Sequence, residues 1–234
     1  MDKGWLVPGD HHPSKALQLA ELGIFLLLIG PSIVFSSFTA VESSLTFSRV
    51  AMVTIFQNVA LVLLIFYFLW RNHEPLSSIG WATGRGGMEV VLGIALFFPM
   101  LVGIGLLDTL LRSAGLPLAE TPPTYLIPNG FLQMALALVF LIVVAVSEEL
   151  IFRGYLMLRF TALLGHPGAA LLLAAAIFSV GHGYQGAGSI LAAGLLGVIL
   201  GLVYLWRKNL IAVITMHFLQ NFSGIILVSL QKGT

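Results

Sequence analysis

Apolar residues run along this chain in long segments, separated by short breaks rich in polar residues, glycine or proline. A helix needs about 20 apolar residues, with a range of about 17–25, to cross the hydrocarbon core of a bilayer. The pattern predicts seven membrane helices, at Ala16–Phe38, Val50–Trp70, Val90–Leu107, Phe131–Ser147, Gly168–His182, Ile190–Trp206 and Leu210–Leu230. The stretch Leu150–Leu164 is apolar enough to form an eighth, tilted or interfacial helix. We therefore expect an all-α, polytopic transmembrane helical bundle of seven or eight membrane helices.

Composition strengthens this prediction. The 234 residues are 58% hydrophobic and 9% charged, whereas an ordinary soluble domain has about 25% charged residues. We expect a single membrane domain over residues 1–234. The apolar run after Lys15 is longer than the h-region of a signal peptide, which predicts an uncleaved first helix. A net charge of +1 gives no reason to expect nucleic acid as a partner, and the absence of cysteine excludes disulfides and a cysteine nucleophile.

Glu148 and Glu149 lie side by side at the end of the fourth apolar run, and Arg153 follows one helical turn later. Ionised groups near the hydrocarbon core cost about 2.5–3.5 kcal/mol each on insertion scales, so such a cluster is a functional-site hypothesis. Glu149 and Arg153 have the i,i+4 spacing of an ion pair, and Glu148 is rotated by about 100° from Glu149. One acid can pair with Arg153 while the other stays available for chemistry. The alternative is that both acids are solvated, inert charges at a helix end.

Later apolar segments contain two further histidines. Phe178 and His182 are i,i+4 neighbours and share a helix face. His217 and Asn221 are one turn apart in the last predicted span, at a depth of about 12 Å by the rise of 1.5 Å per residue. Such groups are costly in lipid unless they form hydrogen bonds or line a wet cavity. Structural hydrogen bonds between helices are the alternative to a functional role for both histidines.

The spacing of Glu148 and His182 predicts that they approach each other. They are equally far along the chain from Gly165, which precedes His166 and Pro167. A helical hairpin that turns there returns His182 to the level of Glu148. We therefore predict a polar cavity within the C-terminal half of the bundle.

Two chemistries fit this set of side chains. A carboxylate and a histidine can activate water as a general base, and a second histidine and an asparagine can donate hydrogen bonds to an oxyanion. Alternatively, Glu148, His182 and His217 are a ligand set for a catalytic zinc ion with one position left for water. The motifs His-Glu-x-x-His, Gly-x-Ser-x-Gly and Gly-x-Gly-Asp of other proteases are absent from the sequence.

Three short motifs carry a resemblance to a known family. They are Glu-Glu-Leu-Ile-Phe-Arg-Gly at 148–154, Phe-Ser-Val-Gly-His at 178–182 and His-Phe-Leu-Gln-Asn at 217–221. In this order, within residues 131–230, they resemble the three motifs of the CPBP family, which contains type II CAAX prenyl endopeptidases and bacterial Abi-like proteins. The resemblance implies an intramembrane endopeptidase whose catalytic core is 131–230.

The resemblance also implies roles for individual residues. Glu148 would activate the water with His182, and His217 and Asn221 would stabilise the oxyanion. Glu149 and Arg153 would hold the first motif in shape, with Phe178 as a further supporting residue. Both a zinc mechanism and a metal-free glutamate mechanism are open, and we favour the metal-free one because zinc would occupy Glu148 and leave no obvious proton shuttle.

The expected partners are the lipid bilayer and a membrane-associated protein or peptide substrate. By resemblance, the substrate is prenylated in CAAX-type processing, or is a bacterial peptide in processing or immunity. We expect a multi-pass protein of the bacterial cell membrane, or of the endoplasmic reticulum if the source is eukaryotic. Two non-enzymatic functions stay open: a membrane scaffold or immunity protein that binds a peptide without cutting it, and a proton-coupled transporter. The transporter is disfavoured because the polar residues lie in one half rather than in matching repeats.

Overall fold

The computed structural model describes residues 13–36, 45–81, 86–118 and 123–232, with backbone only for 32–36 and 226–232. In these ranges the chain forms helices and no strands. The α-helices are α1 (Lys15–Ser36), α2 (Phe47–Arg71), α3 (Gly86–Ser113), α4 (Gly130–Glu149), α5 (Met157–Leu164), α6 (Pro167–Val180), α7 (Ala187–Arg207) and α8 (Leu210–Lys232). Short 3₁₀ turns occupy Leu76–Ile79, Thr124–Leu126 and Gly183–Gln185.

Four of the described helical stretches are long and apolar enough to cross a membrane. They are Phe47–Arg71, Gly86–Ser113, Gly130–Leu164 and Ala187–Arg207, whereas Pro167–Val180 and Leu210–Ile225 are apolar but shorter. This confirms an all-helical integral membrane protein, and the number of seven or eight crossings stays a prediction. The stretch Leu150–Leu164, which the sequence offers as an eighth helix, continues α4 without a break, so that one helix runs for 35 residues.

The continuation from α4 to α5 passes through a π-helical segment, Leu150–Leu156, which begins directly after the acidic pair. Such wide turns are rare and occur frequently at functional sites. The helix then ends at Gly165, whose φ of 73° is the left-handed conformation that glycine adopts easily. The predicted hairpin therefore forms at Gly165, and α6 starts at Pro167, where the ring of His166 accepts the Ala169 N–H at 3.2 Å.

Close packing of the helices places the elements that carry the site. Tyr155 of the π segment is fully buried between Phe25 of α1 and Phe68 of α2, with ring centroids 5.1 and 6.1 Å apart. Gly93 lets α3 approach α8 so closely that a Cβ there would lie 2.6 Å from the carbonyl oxygen of Ala212. Since α8 carries His217 and Asn221, this contact fixes the position of one wall of the site.

A buried ionic network that the sequence analysis does not anticipate joins α1, α2 and α5. Glu21 of α1, which is 1% exposed, accepts hydrogen bonds from Arg71 at 2.9 Å and from Asn72 at 3.0 Å. Arg159 of α5 lies 3.4 Å from Glu21 and also pairs with Glu74. Charges removed from water in this way are tolerated only when they are paired and hydrogen-bonded. The network therefore ties α1 to the rest of the bundle.

Candidate active site

Glu149 is the more buried member of the acidic pair, and its carboxylate contacts a guanidinium and an imidazole. Its Oε1 accepts hydrogen bonds from Nη1 of Arg153 at 2.8 Å and from Nδ1 of His217 at 2.7 Å. Arg153 also donates to the carbonyl oxygen of Gly197 in α7 at 3.3 Å, so the group links three helices. The ion pair predicted between Glu149 and Arg153 is formed. The bond from His217 is not foreseen by the sequence, because 68 residues separate the two side chains.

Glu148 points in another direction and is 24% exposed. Its Oε2 is buried but has no hydrogen-bond partner among the described residues, and it lies 3.6 Å from Nε2 of His217. This separation is longer than a direct hydrogen bond. Oε2 of Glu149 is likewise buried without a partner among the described residues. The two adjacent acids differ in access: Glu149 is fully enclosed and paired through Oε1, whereas Glu148 is partly exposed.

The partners of His217 decide what its ring can do. A carboxylate oxygen can only accept, so the short contact with Glu149 places a proton on Nδ1. In a neutral ring Nε2 would then be an acceptor facing the Glu148 carboxylate. Only a doubly protonated ring can donate from Nε2.

His182 lies just beyond the end of α6. Its Nδ1 is 2.9 Å from the carbonyl oxygen of Phe178, which can only accept. The proton of a neutral ring is therefore on Nδ1, and Nε2 is left as an acceptor. The ring of Phe178 lies 4.5 Å from that of His182 and 6.1 Å from that of His217, and the guanidinium of Arg153 stands 4.8 Å over it. Phe178, 1% exposed, thus separates the two histidines and packs against all three motifs.

An open cavity of about 270 Å³ lies beside these groups. Its lining comes from α1, α2, the end of α4, the π segment and the end of α6, as follows: Ile29, Thr54, Gln57, Asn58, Leu61, Glu148, Ile151, Phe152, Phe178, Gly181 and His182. Glu148 and His182 therefore share one cavity. The sequence places the cavity within the C-terminal half, but α1 and α2 supply five of the eleven described lining residues, because both helices pack against the π segment.

The other two predicted site residues are not part of this lining. His217 is 2% exposed and reaches the site from behind, through its contacts with the two acids. Asn221 lies one turn further along α8, and no hydrogen bond joins it to another residue in the described ranges. The structure thus brings Glu148, Glu149, Arg153 and His217 into direct proximity, and leaves Asn221 one helical turn away from that contact.

Two features of the site escape the sequence analysis. The first is Tyr184 in the 3₁₀ turn after His182, whose ring stacks with the His182 ring at 6.4 Å and whose hydroxyl accepts from Gln185 at 2.8 Å. Burial raises the pKa of the Tyr184 hydroxyl to about 12, so it stays protonated at physiological pH. In the sequence, the only sign of this contact is that an aromatic residue follows His182 by two positions.

The second feature is a polar stripe on α2. Thr54, Gln57 and Asn58 are spaced i, i+3, i+4 in an otherwise apolar span, and all three line the cavity. That spacing puts them on one helix face. The signal was visible in the sequence, but nothing local to α2 indicates which neighbour its polar face meets.

Among the described residues, no group of three histidine or acidic side chains is arranged to hold a metal ion. His182 directs Nδ1 at a backbone carbonyl, and His217 directs Nδ1 at Glu149. These bonds leave Nε2 of each ring as the nitrogen that could bind a metal. The metal-free mechanism therefore stays a prediction, and no step below passes through a metal.

The fold and the site define a helical integral membrane protein with a cavity lined by Glu148 and His182, and His217 lies behind Glu148. Residues 130–223 match the family model described as type II CAAX prenyl endopeptidase, Rce1-like. This range contains all three motifs, and the match confirms the resemblance drawn from them. No curated protein and no solved structure matches the chain in the same comparisons.

Proposed function

We propose that the protein is an intramembrane endopeptidase that hydrolyses a peptide bond of a membrane-associated protein or peptide. The observation that carries the proposal is the environment of Glu148. Its buried Oε2 has no protein partner in the described ranges, faces Nε2 of His217 at 3.6 Å, and belongs to the cavity that also holds His182. Oε2 of Glu149 is also unpaired, but only Glu148 is partly exposed and lines the cavity, where a water molecule and a substrate can reach it.

In the proposed reaction, a water molecule in the cavity gives a proton to Glu148 while it hydrogen-bonds to Nε2 of His182. The resulting hydroxide attacks the peptide carbonyl carbon and forms a tetrahedral oxyanion. Glu148 then transfers the proton to the leaving amine nitrogen as the C–N bond breaks, which leaves a carboxylic acid and an amine. General acid–base catalysis of this kind contributes about 10²–10⁴-fold in rate.

The oxyanion is assigned to His217 and Asn221. His217 would act in its doubly protonated form, with Nδ1–H held by Glu149 and Nε2–H available to the oxyanion. Asn221 would approach the oxyanion when the substrate is bound, since no hydrogen bond to a described residue occupies its carboxamide.

The substrate class follows from the family match rather than from the cavity. We propose a CAAX-type substrate, for which the matched family is named. The same hydrolysis could instead serve bacterial peptide processing or immunity. A membrane scaffold that binds a peptide without cutting it is the alternative that involves no catalysis. In the test below, cleavage of a farnesylated peptide in preference to its unprenylated twin would support the CAAX-type substrate.

The test is a cleavage assay in lipid nanodiscs with a fluorescein-labelled farnesylated CAAX peptide and its unprenylated twin. The parent protein is expected to cut the farnesylated peptide, and Glu148→Gln to lose about 10²–10⁴-fold in rate with an unchanged unfolding temperature. Incubation with a zinc chelator is expected to leave the activity of the parent intact. Equal rates for the parent and Glu148→Gln would refute the mechanism, and loss of activity on chelation that zinc restores would replace it with a metal-dependent one.

A further inference from the structure

The polar stripe of α2 has no part in the proposed chemistry. Between Arg49 and Tyr67, three side chains of α2 have conventional hydrogen-bonding groups, and each of them lines the cavity: Thr54, Gln57 and Asn58. Leu61 continues the same face and also lines it. The apolar residues between them, such as Val59, are exposed on the outside of the bundle. All the polarity of this span is therefore turned toward the site.

The depth of the stripe makes its polarity significant. Asn58 is eleven residues from Phe47, or about 17 Å along the helix axis, which is close to the middle of a hydrocarbon core about 30 Å thick. No hydrogen bond joins Asn58 to another described residue, whereas Gln57 already takes part in an interaction. A carboxamide at this depth needs a partner, because lipid offers none. A hydrogen bond between helices therefore does not account for the position of Asn58.

The chemistry of the stripe indicates the kind of partner. Its side chains are uncharged, and both a carboxamide and a hydroxyl can donate and accept. An extended peptide in a membrane presents N–H and C=O groups that must be satisfied without water. A charged headgroup would instead call for a cationic side chain, and none of the described lining residues is an arginine or lysine.

Resting on the proposed function, we infer that Thr54 and Asn58 form the substrate-binding wall of the cavity. Asn58 hydrogen-bonds to a backbone peptide group of the substrate, which lies extended in the cavity that holds Glu148 and His182. Thr54, one turn earlier on α2, supports a neighbouring backbone group. The two residues act in binding, so their loss raises KM and leaves kcat nearly unchanged.

The first experiment measures cleavage of the farnesylated CAAX peptide by Asn58→Leu and Thr54→Val, which keep size and remove hydrogen bonding. The matched control is Val59→Leu, on the outer face of the same helix. One lost hydrogen bond is expected to raise KM by about fivefold to tenfold for Asn58→Leu, and by less for Thr54→Val. Val59→Leu is expected to stay within about twofold. Unchanged KM in both stripe variants of an active protein would overturn the inference and leave the proposed function intact.

The second experiment does not need turnover. The same peptide is bound to the Glu148→Gln protein, with and without Asn58→Leu, and fluorescence anisotropy gives Kd for a series in which each backbone amide is replaced in turn by an ester. One ester is expected to weaken binding by about fivefold with Asn58 present and to have no effect with leucine there. Additive losses at every ester position would overturn the inference. If the ester effect depends on Asn58 but the parent protein cuts no peptide, the binding role of the stripe is upheld and the endopeptidase function is refuted. If no peptide binds, both the binding role and the endopeptidase function are refuted.

Discussion

Nδ1 of His217 lies 2.7 Å from Oε1 of Glu149, and the same oxygen accepts a hydrogen bond from Arg153 at 2.8 Å. One buried carboxylate thus fixes both a guanidinium four residues away and an imidazole on α8. Because Glu149 holds Nδ1 of His217, the other ring nitrogen, Nε2, faces Glu148.

We expect Glu149→Gln to lower the stability of the protein because it leaves Arg153, 2% exposed, as an uncompensated buried charge. Breaking a buried pair typically costs about 3–5 kcal/mol. Thermal unfolding in detergent measures the effect. The matched control is Asp108→Asn, because Asp108 and Arg112 form an i,i+4 pair on the surface of α3, where little change is expected. Equal unfolding temperatures for the two variants would contradict a structural role for Glu149.

Two substitutions of His217 separate its two nitrogens. The amide nitrogen of asparagine can replace Nδ1 and keep the bond to Glu149, whereas that of glutamine reaches the position of Nε2. His217→Asn is therefore expected to unfold near the parent temperature but to lose about 10²–10³-fold in kcat. His217→Gln is expected to be less stable, since Glu149 loses a donor. Cleavage kinetics and thermal unfolding of both variants check this, and the reverse order of stability would show that the contact with Glu149 does not hold the ring.

The contact between α3 and α8 predicts a glycine effect. A Cβ at Gly93 would lie 2.6 Å from the carbonyl oxygen of Ala212 and 2.7 Å from Cβ of Thr215, and neither can retreat without moving α8. We expect Gly93→Ala to cost about 1–3 kcal/mol and to reduce activity through the displacement of His217. Gly103→Ala in the same helix has open space around it and is the control, with equal or higher stability expected. A denaturant series on both variants measures the difference, and similar losses would show that α8 adjusts freely.

The ionic network at α1 predicts an energetic coupling. Arg159→Met removes a partner of both Glu21 and Glu74 and is expected to cost about 3–5 kcal/mol. Glu21→Gln in the same protein should restore part of the loss, with a coupling energy of about 0.5–3 kcal/mol from a double-mutant cycle of unfolding measurements. Additive effects would mean that α1 is held by its apolar contacts alone.

Several features of the fold and the site could be predicted from the sequence because they depend on residues close together in the chain. The pair formed by Glu149 and Arg153 follows from i,i+4 spacing, and the turn at Gly165 follows from a glycine before His166 and Pro167. The apolar runs established a membrane bundle, since lipid forces every backbone group into a helix. Spacing also predicted that Glu148 and His182 approach each other, and they line one cavity.

What the tertiary structure alone decided depends on contacts between distant segments. Hydropathy identifies the polar residues of α2, but only helix packing turns Thr54 and Asn58 toward Glu148. The π segment, which lets α4 continue into α5, has no composition signal, and the bond of His217 to Glu149 depends on how closely α3 and α4 hold α8. Local spacing fixes which side chains share a helix face, whereas the choice of neighbouring helix follows from close packing over the whole bundle.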